Sequence, residues 1–365
     1  MTRATPTADL DHGASSGLHD GAEDLTGVHH RLRDFFSHLR TQAALFGDAD
    51  PIVDALRSAS SGGKNVRPDL VLRVHRALID DDSDAVFDVA AAFELLHTAL
   101  VVHDDIIDRD WSRRGKPNVA GLFQARASAM GLSSGDAEHH GASAAIIAGD
   151  LALAGALRLI ATARTTDVRR GRLLDIMNTA VIASAIGELA DIEHPLGVPA
   201  TADVIAHSHR AKTSVYTFEA PMQAGAVLAG ASEYVIGQLR EFGQHLGIAY
   251  QIRDDIAGIL DDEHVTGKPV ARDFRSAKQT AVTVHAKNGA RWSEVGHLFG
   301  KHDLNAADLA QIRSVLVDDG AIESAEVDAR HHLAAATHAL NRMPTRLKRR
   351  LGPVLIAAGS RSPGY

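Results

Sequence analysis

Cysteine is missing from this sequence altogether, which removes disulfides, thiolate metal centres and a cysteine nucleophile while leaving the compartment open. A basic surplus is missing too: 38 Lys and Arg face 46 Asp and Glu, a formal charge of -8. Nucleic acid and anionic lipid therefore find no basic surface, and an anionic ligand has to be held locally or through a cation. No run of about 18 uninterrupted apolar residues occurs and the N-terminus has no apolar signal core, so the expectation is a cytoplasmic protein without a membrane span. Walker and dinucleotide glycine patterns are absent, which leaves nucleotide binding without support. HExxH is absent, and the HH and HSH pairs lack the helical spacing of a zinc site. Alternating strand patterns and hairpin dipeptides between β-branched runs are also lacking, which argues against a sheet.

What the chain has instead is helical pattern. Its 365 residues are 45% hydrophobic, ample for a buried core. Residues 1–25 are rich in Gly, Ser, Asp and Thr without periodic apolar positions and read as a disordered tail. Beyond them, stretches such as "AVFDVAAAFELLHTALVVHDDIID" and "YVIGQLREFGQHLGIAYQIRDDIAGIL" are long, rich in Ala and Leu, and apolar over more than one stripe, as helices inside a bundle are. Breaks fall at "SSGGKNVRP", "RRGKP", "HPLGVPA" and "TGKPVARDF", with no linker long enough to divide the chain. Residues 26–365 are expected to form one large all-α domain, a helical bundle with its ligand site in a central cavity between facing helices.

The stretch "LVVHDDIIDRDWSRRGKPNV" concentrates opposite charges at the end of such a helix. Asp104 and Asp108 form an i, i+4 pair with Asp105 beside them, an arrangement that costs a helix a few tenths of a kcal/mol unless a cation compensates. His97 lies two turns back on the same wall. A solvated acidic helix end is the ordinary meaning of a lone acidic cluster, and a satisfied buried imidazole that of a lone His97. The apolar run "AAFELLHTALVV" before the acids favours carboxylates that face a cavity. "GIAYQIRDDIAGIL" repeats the arrangement: Asp254 and Asp255 follow Gln251 and sit among Ile248, Ile252, Ile256 and Ile259. Two such helices facing each other offer only oxygen ligands, which suits Mg²⁺ completing its shell with water and phosphate oxygens.

Cations gather at the helix breaks. Lys64 and Arg67, Arg113 and Arg114, Lys212 with Thr213, Lys268, and Lys278 each read singly as solvated loop residues. As a set they form two anion sites, one bridged to the aspartates by Mg²⁺ and one gripped directly, since an Arg fork matches phosphate oxygens and Lys acts as a point charge.

In this order, "GGKNVRP", "HDDIIDRDWSRRGKP", "AGDLAL", "RAKTS" and "YQIRDDIAG", followed by "GKP" and "KQT", resemble the motifs of the trans-isoprenyl diphosphate synthases. The resemblance runs from about residue 28 to 355. It implies that Asp104, Asp105, Asp108, Asp254 and Asp255 bind Mg²⁺, three ions per site with substrate present and Mn²⁺ as a substitute. It implies allylic diphosphate binding by Arg113, Lys212, Thr213, Gln251, Lys268 and Lys278, and isopentenyl diphosphate binding by Lys64, Arg67, His97 and Arg114. A homodimer follows from the same resemblance. The second motif departs from the family pattern at Gly258, where many members carry a third aspartate, and "GGKNVRP" has Asn65 where Lys or Arg is common.

Product length in this family is set at the fourth and fifth positions before the first aspartate, here Leu100 and Ala99. Without aromatics there, the resemblance points to geranylgeranyl diphosphate, with Phe93, Leu96 or Phe123 as floor residues. Farnesyl or longer products are alternatives, and a class I terpene cyclase or an inactive partner subunit are more distant ones.

Overall fold

The computed structural model describes residues 23–80, 83–193, 201–260 and 272–360. Among the described residues sixteen α-helices follow one another: α1 (Thr26–Ala43), α2 (Asp50–Ala59), α3 (Val66–Leu78), α4 (Asp84–Ile107), α5 (Val119–Ala129), α6 (Ser134–Thr162), α7 (Asp167–Glu193), α8 (Ala202–His209), α9 (Ala220–Leu228), α10 (Glu233–Leu260), α11 (Arg272–Arg275), α12 (Ala281–Lys287), α13 (Trp292–Val295), α14 (Ala306–Asp318), α15 (Ala321–Asn341) and α16 (Thr345–Gly359). Between α8 and α9 the chain widens into a π-helical stretch, Arg210–Glu219. Among the described residues the all-α expectation holds apart from one small hairpin, β1 (Ser112–Arg113) paired antiparallel with β2 (Lys116–Pro117). Its turn places Arg114 at φ 53° and Gly115 at φ 71°, and two left-handed residues in a two-residue loop match the twist of paired strands. "RRGKP", expected to be a break, is that hairpin.

α4 occupies the centre because it is apolar all round. Val86, Val89, Ala90, Phe93, Leu95 and Leu96 are fully buried although they point to different sides of the helix. α6 lies along it with a stripe of buried small residues, Ala145, Ala148, Ala152 and Ala156, so the two backbones approach closely. α10 passes through two hydrophobic clusters. Leu239, Phe242 and Leu246 belong to the first, with α4, while Ile248, Ile252, Ile256 and Ile259 pack in the second with Phe274, Val282 and Val315.

The expected tail ends earlier than residue 25. Glu23 donates its N–H to Asp69 Oδ1 at 2.7 Å, and its carboxylate pairs with Arg76 at 2.8 Å and with Arg350. A buried ion cluster thus fixes a segment whose composition alone reads as unstructured. Although none is an uninterrupted apolar run, α4, α6 and α7 are long and apolar enough, by length and composition, to cross a membrane. Burial in the bundle accounts for α4, with 72% of its most apolar window covered, against 39% for α6 and 28% for α7. Ile146, Ile147, Leu157, Val168, Ile182, Ile186, Leu189 and Ile192 are the large apolar residues exposed on those two helices.

Candidate active site

The site is built at the C-terminal end of α4. Asp104 lies in the last turn, 30% exposed at its side chain, while Asp108 caps the helix in the open and donates its N–H to the Asp104 carbonyl at 2.8 Å. Asp105 points inward and is buried. Its Oδ1 accepts from Arg113 Nη2 at 2.7 Å and Nε at 3.0 Å, and its Oδ2 accepts from Asn118 Nδ2 at 3.0 Å. Burial raises the Asp105 carboxyl, and the Arg113 guanidinium opposes that. The acidic motif therefore divides: Asp105 anchors the hairpin, leaving Asp104 and Asp108 facing outward.

α10 repeats the division. Asp254 is exposed and Asp255 is buried, its Oδ1 accepting from Gln251 Nε2 at 2.9 Å and its Oδ2 standing 3.1 Å from His209 Nε2. Gln251 turns its carbonyl to Thr213, whose hydroxyl donates at 2.9 Å. A Cβ added at Gly258 meets nothing within 4 Å, so no neighbour demands glycine there. Lys268 lies outside the described residues.

The π-helical stretch positions the next groups. Arg210 and Glu219, its first and last residues, pair through one guanidinium edge, Nε and Nη2 donating to the two carboxylate oxygens at 3.0 and 3.1 Å, and pin its ends. The wide turn is typical of functional positions in helices. Two glycines admit it: a Cβ at Gly187 of α7 falls 2.4 Å from the Lys212 backbone nitrogen, and one at Gly247 of α10 falls 2.3 Å from Ser214 Oγ. Because the backbone of Lys212 has no room to retreat without moving its side chain, Gly187→Ala is expected to lower kcat/KM about 10-fold or more with the helical content retained. Steady-state kinetics alongside far-UV circular dichroism checks this, and wild-type kinetics in that variant would show the close approach to be dispensable.

Lys212 Nζ reaches Glu188 at 2.7 Å, Asp191 at 2.8 Å and Asp104 at 3.4 Å, and Lys278 reaches the same Asp191 oxygen at 2.9 Å. Burial would raise the Asp191 carboxyl, but the two ammonium groups prevail and hold it at about 2. Burial would lower both lysines; Asp191, Asp104 and Glu188 hold Lys212 above its ordinary value, and Asp273, Asp191 and Asp255 do the same for Lys278. Glu188, with one ammonium for a partner, is raised by its burial. This network links the α4 acids to the α10 acids through α7. Glu188 and Asp191 were not foreseen; their signal was "GELADIE", acids at the end of another apolar helix.

A second cationic cluster forms around His97, two turns back along α4. Arg67 donates to Thr217 Oγ1 at 2.8 Å and lies 4.5 Å over the Tyr216 ring, against which His97 stacks at 6.2 Å. Burial pushes His97 well below its usual value, reinforced by Arg67, Arg113 and Arg114, so the imidazole is neutral near pH 7. Arg114, at the hairpin tip, lies against the Gly62–Gly63 turn, 3.1 Å from where a Gly63 Cβ would stand. Lys64 follows in that turn, half-buried, and Asn65 adopts φ 45°, a left-handed conformation that Asn tolerates better than most side chains. That gives the Asn65 departure a conformational reason. Below the turn, Thr98 of α4 donates to Ser60 at 3.1 Å, both buried. Tyr216 and Thr217 had no sequence signal, because only the π-helical widening turns them toward Arg67.

Along α4 beneath Asp104, Ala99, Leu96 and Phe93 are buried and Leu100 is half-buried. Phe123 stands apart from them: it packs against the core from α5 and lines a groove of about 240 Å³ between α2 and α5 with Pro51, Ala55 and Leu122. Among the described residues no group of three or more carboxylates and imidazoles is arranged to hold a metal ion by itself.

The fold is that of the all-α isoprenoid diphosphate synthases. A geranylgeranyl pyrophosphate synthase from Corynebacterium glutamicum, solved in complex with isoprenyl diphosphate and magnesium, superposes with a TM-score of 0.84 at 27% identity, covering 96% of this chain and 100% of that one. Residues 51–316 match the family described as polyprenyl synthetase. A geranylfarnesyl diphosphate synthase from Aeropyrum pernix is 34% identical over 296 residues, 80% of this chain and 86% of that protein. A geranylgeranyl diphosphate synthase from Sulfolobus acidocaldarius is 33% identical over 232 residues, 62% of this chain and 63% of that protein. The chain belongs to the polyprenyl synthetase family and is a prenyl diphosphate synthase, a transferase of prenyl groups.

Proposed function

We propose that the protein condenses isopentenyl diphosphate with dimethylallyl, geranyl and farnesyl diphosphates in a Mg²⁺-dependent reaction that ends at geranylgeranyl diphosphate. The observation that carries this reading is the pair of separate cationic clusters flanking one acidic helix end. Lys212 and Lys278 meet at Asp191 beside Asp104, and Arg67 and His97 gather on Tyr216 two turns back along α4, with Arg114 against the Gly62–Gly63 turn. A terpene cyclase ionises one diphosphate and has no use for the second cluster.

Asp104, Asp108 and Asp254 are the outward carboxylates fit to hold Mg²⁺, a cation that takes one or two carboxylates and fills its shell with water and phosphate oxygens. Asp105 and Asp255 sit behind them as anchors. Bound Mg²⁺ supplies charge stabilisation for the departing diphosphate. Lys212 and Lys278, with Arg113, Thr213, Gln251 and Lys268, hold that allylic diphosphate, and the two ammonium groups stabilise the negative charge that grows as the C–O bond breaks. Lys64, Arg67, His97 and Arg114 hold isopentenyl diphosphate so that its double bond attacks the allylic cation. The proton then lost passes to the departed diphosphate. The buried apolar wall of α4 keeps water from the cation.

The same wall sets product length. Phe93 lies 11 residues before Asp104, about 16 Å down the helix, and Ala99 only about 7.5 Å down. Ala99→Phe is therefore expected to shift the main product from twenty carbons to fifteen or fewer, read by chromatography of the dephosphorylated products. An unchanged product distribution would remove Ala99 from the pocket. Exposed apolar residues on α6 and α7 fit a homodimer interface, and we place the enzyme in the cytoplasm. Purified protein incubated with isopentenyl diphosphate, each allylic primer and Mg²⁺ or Mn²⁺, with and without chelator, tests the whole reading. Absence of product from every primer would leave the inactive-subunit alternative.

A further inference from the structure

Glu94 has no part in the chemistry above, yet it stands in the middle of the apolar stretch of α4 with 4% of its surface exposed. A carboxylate so placed is costly unless cations and donors compensate it. Two cations are near enough to oppose that cost electrostatically, Arg67 from α3 and Arg114 from the hairpin tip. Its Oε2 nevertheless has no hydrogen-bond partner among the described residues, and neither does Arg67 Nε, an equally buried donor. His97, three residues further along the same helix face, contributes a third such atom, Nδ1. Orphaned donors and acceptors this deep are uncommon in folded proteins and mark groups held for a partner or a rearrangement. Thr98, one position beyond His97, ties the same turn of α4 to Ser60 just before the Gly62–Gly63 loop on which Arg114 rests.

We propose that Glu94 is a positioning residue of the isopentenyl diphosphate site, the buried acceptor against which Arg67 and Arg114 set their guanidinium groups when the diphosphate arrives. The proposal rests on the reading that these two arginines hold that substrate. A guanidinium carries donors in a rigid fork, so an acceptor behind it fixes the direction of the donors in front. On this proposal the arginines stand between Glu94 and the diphosphate, and their positive charge screens the two anions from each other. Supporting groups of this kind act through the residues they hold and not through the ligand.

Glu94→Gln keeps the volume and one acceptor while removing the charge. It is expected to raise KM for isopentenyl diphosphate about 10-fold, the cost of weakening a hydrogen bond to a charged group. KM for the allylic substrate and kcat should stay within about twofold. Calorimetric titration with isopentenyl diphosphate alone should show the same loss of affinity, and the melting temperature identifies any variant that has merely lost stability. Arg67→Ala and Arg114→Ala serve as references. If both raise the isopentenyl diphosphate KM while Glu94→Gln leaves it unchanged or lowers it, Glu94 has no positioning role. Equal changes in both KM values with a lowered melting temperature overturn the proposal in favour of a structural role. If the arginine variants leave that KM unchanged, the substrate assignment falls and Glu94's part in it falls with it.

Discussion

Replacing Asp104 with asparagine is expected to lower kcat/KM about 1,000-fold while leaving the fold intact, because two functions meet in that carboxylate. It faces outward where Mg²⁺ is proposed to bind, and it lies 3.4 Å from Lys212 Nζ, the ammonium proposed to receive the leaving diphosphate. Asparagine matches its shape and the side chain is 30% exposed, so little packing is at stake. Asp105→Asn should behave differently. Its carboxylate is spent on Arg113 and Asn118, so the loss there is of hairpin geometry. The Mg²⁺ concentration for half-maximal activity separates the two: it should rise in Asp104→Asn and stay near the wild-type value in Asp105→Asn. The same Mg²⁺ dependence in both variants would contradict the division between outward and anchoring aspartates.

Arg253→Met should cost about 3–5 kcal/mol of stability, the largest structural effect expected of a single substitution here, because it strips the partner from buried charge and backbone groups at once. Arg253 is 7% exposed. It pairs with Glu326 of α15 and donates to the carbonyls of Ala358 at 2.8 Å and Gly359 at 2.5 Å, at the end of α16. Removing the guanidinium leaves Glu326 without its partner and loosens two helices from α10 directly beside Asp254 and Asp255. Chemical denaturation gives the size of the effect. A melting temperature equal to wild type would mean that these contacts contribute nothing net.

Some of this was legible in the residues. The helical periodicity and the apolar breadth of α4 and α10 fixed the class of fold, since a helix apolar all round has to be buried. The ordered acidic and basic motifs identified the residues that the structure gathers around the end of α4, among them Asp104, Arg113, Lys212 and Lys278. Local pattern could not say that Asp105 and Asp255 turn inward while their neighbours Asp104 and Asp254 turn outward. Adjacent residues on a helix point about 100° apart, and which of the two meets the core depends on the helices packed against them. Nor could it place Phe123 in a surface groove, or fix Glu23 by three partners scattered from residue 69 to 350.

The sequence by itself determined the composition of the site: carboxylates, no thiol, two groups of cations, and an apolar helix to shelter them. Tertiary structure alone decided how they are wired. Lys212 meets Glu188 and Asp191 because Gly187 lets α7 come within van der Waals distance of a widened π-helical turn, and that turn also presents Tyr216 and Thr217 to Arg67. Such pairings depend on contacts between segments remote in the chain, and the periodicity of one helix records its buried face but not the partner that buries it.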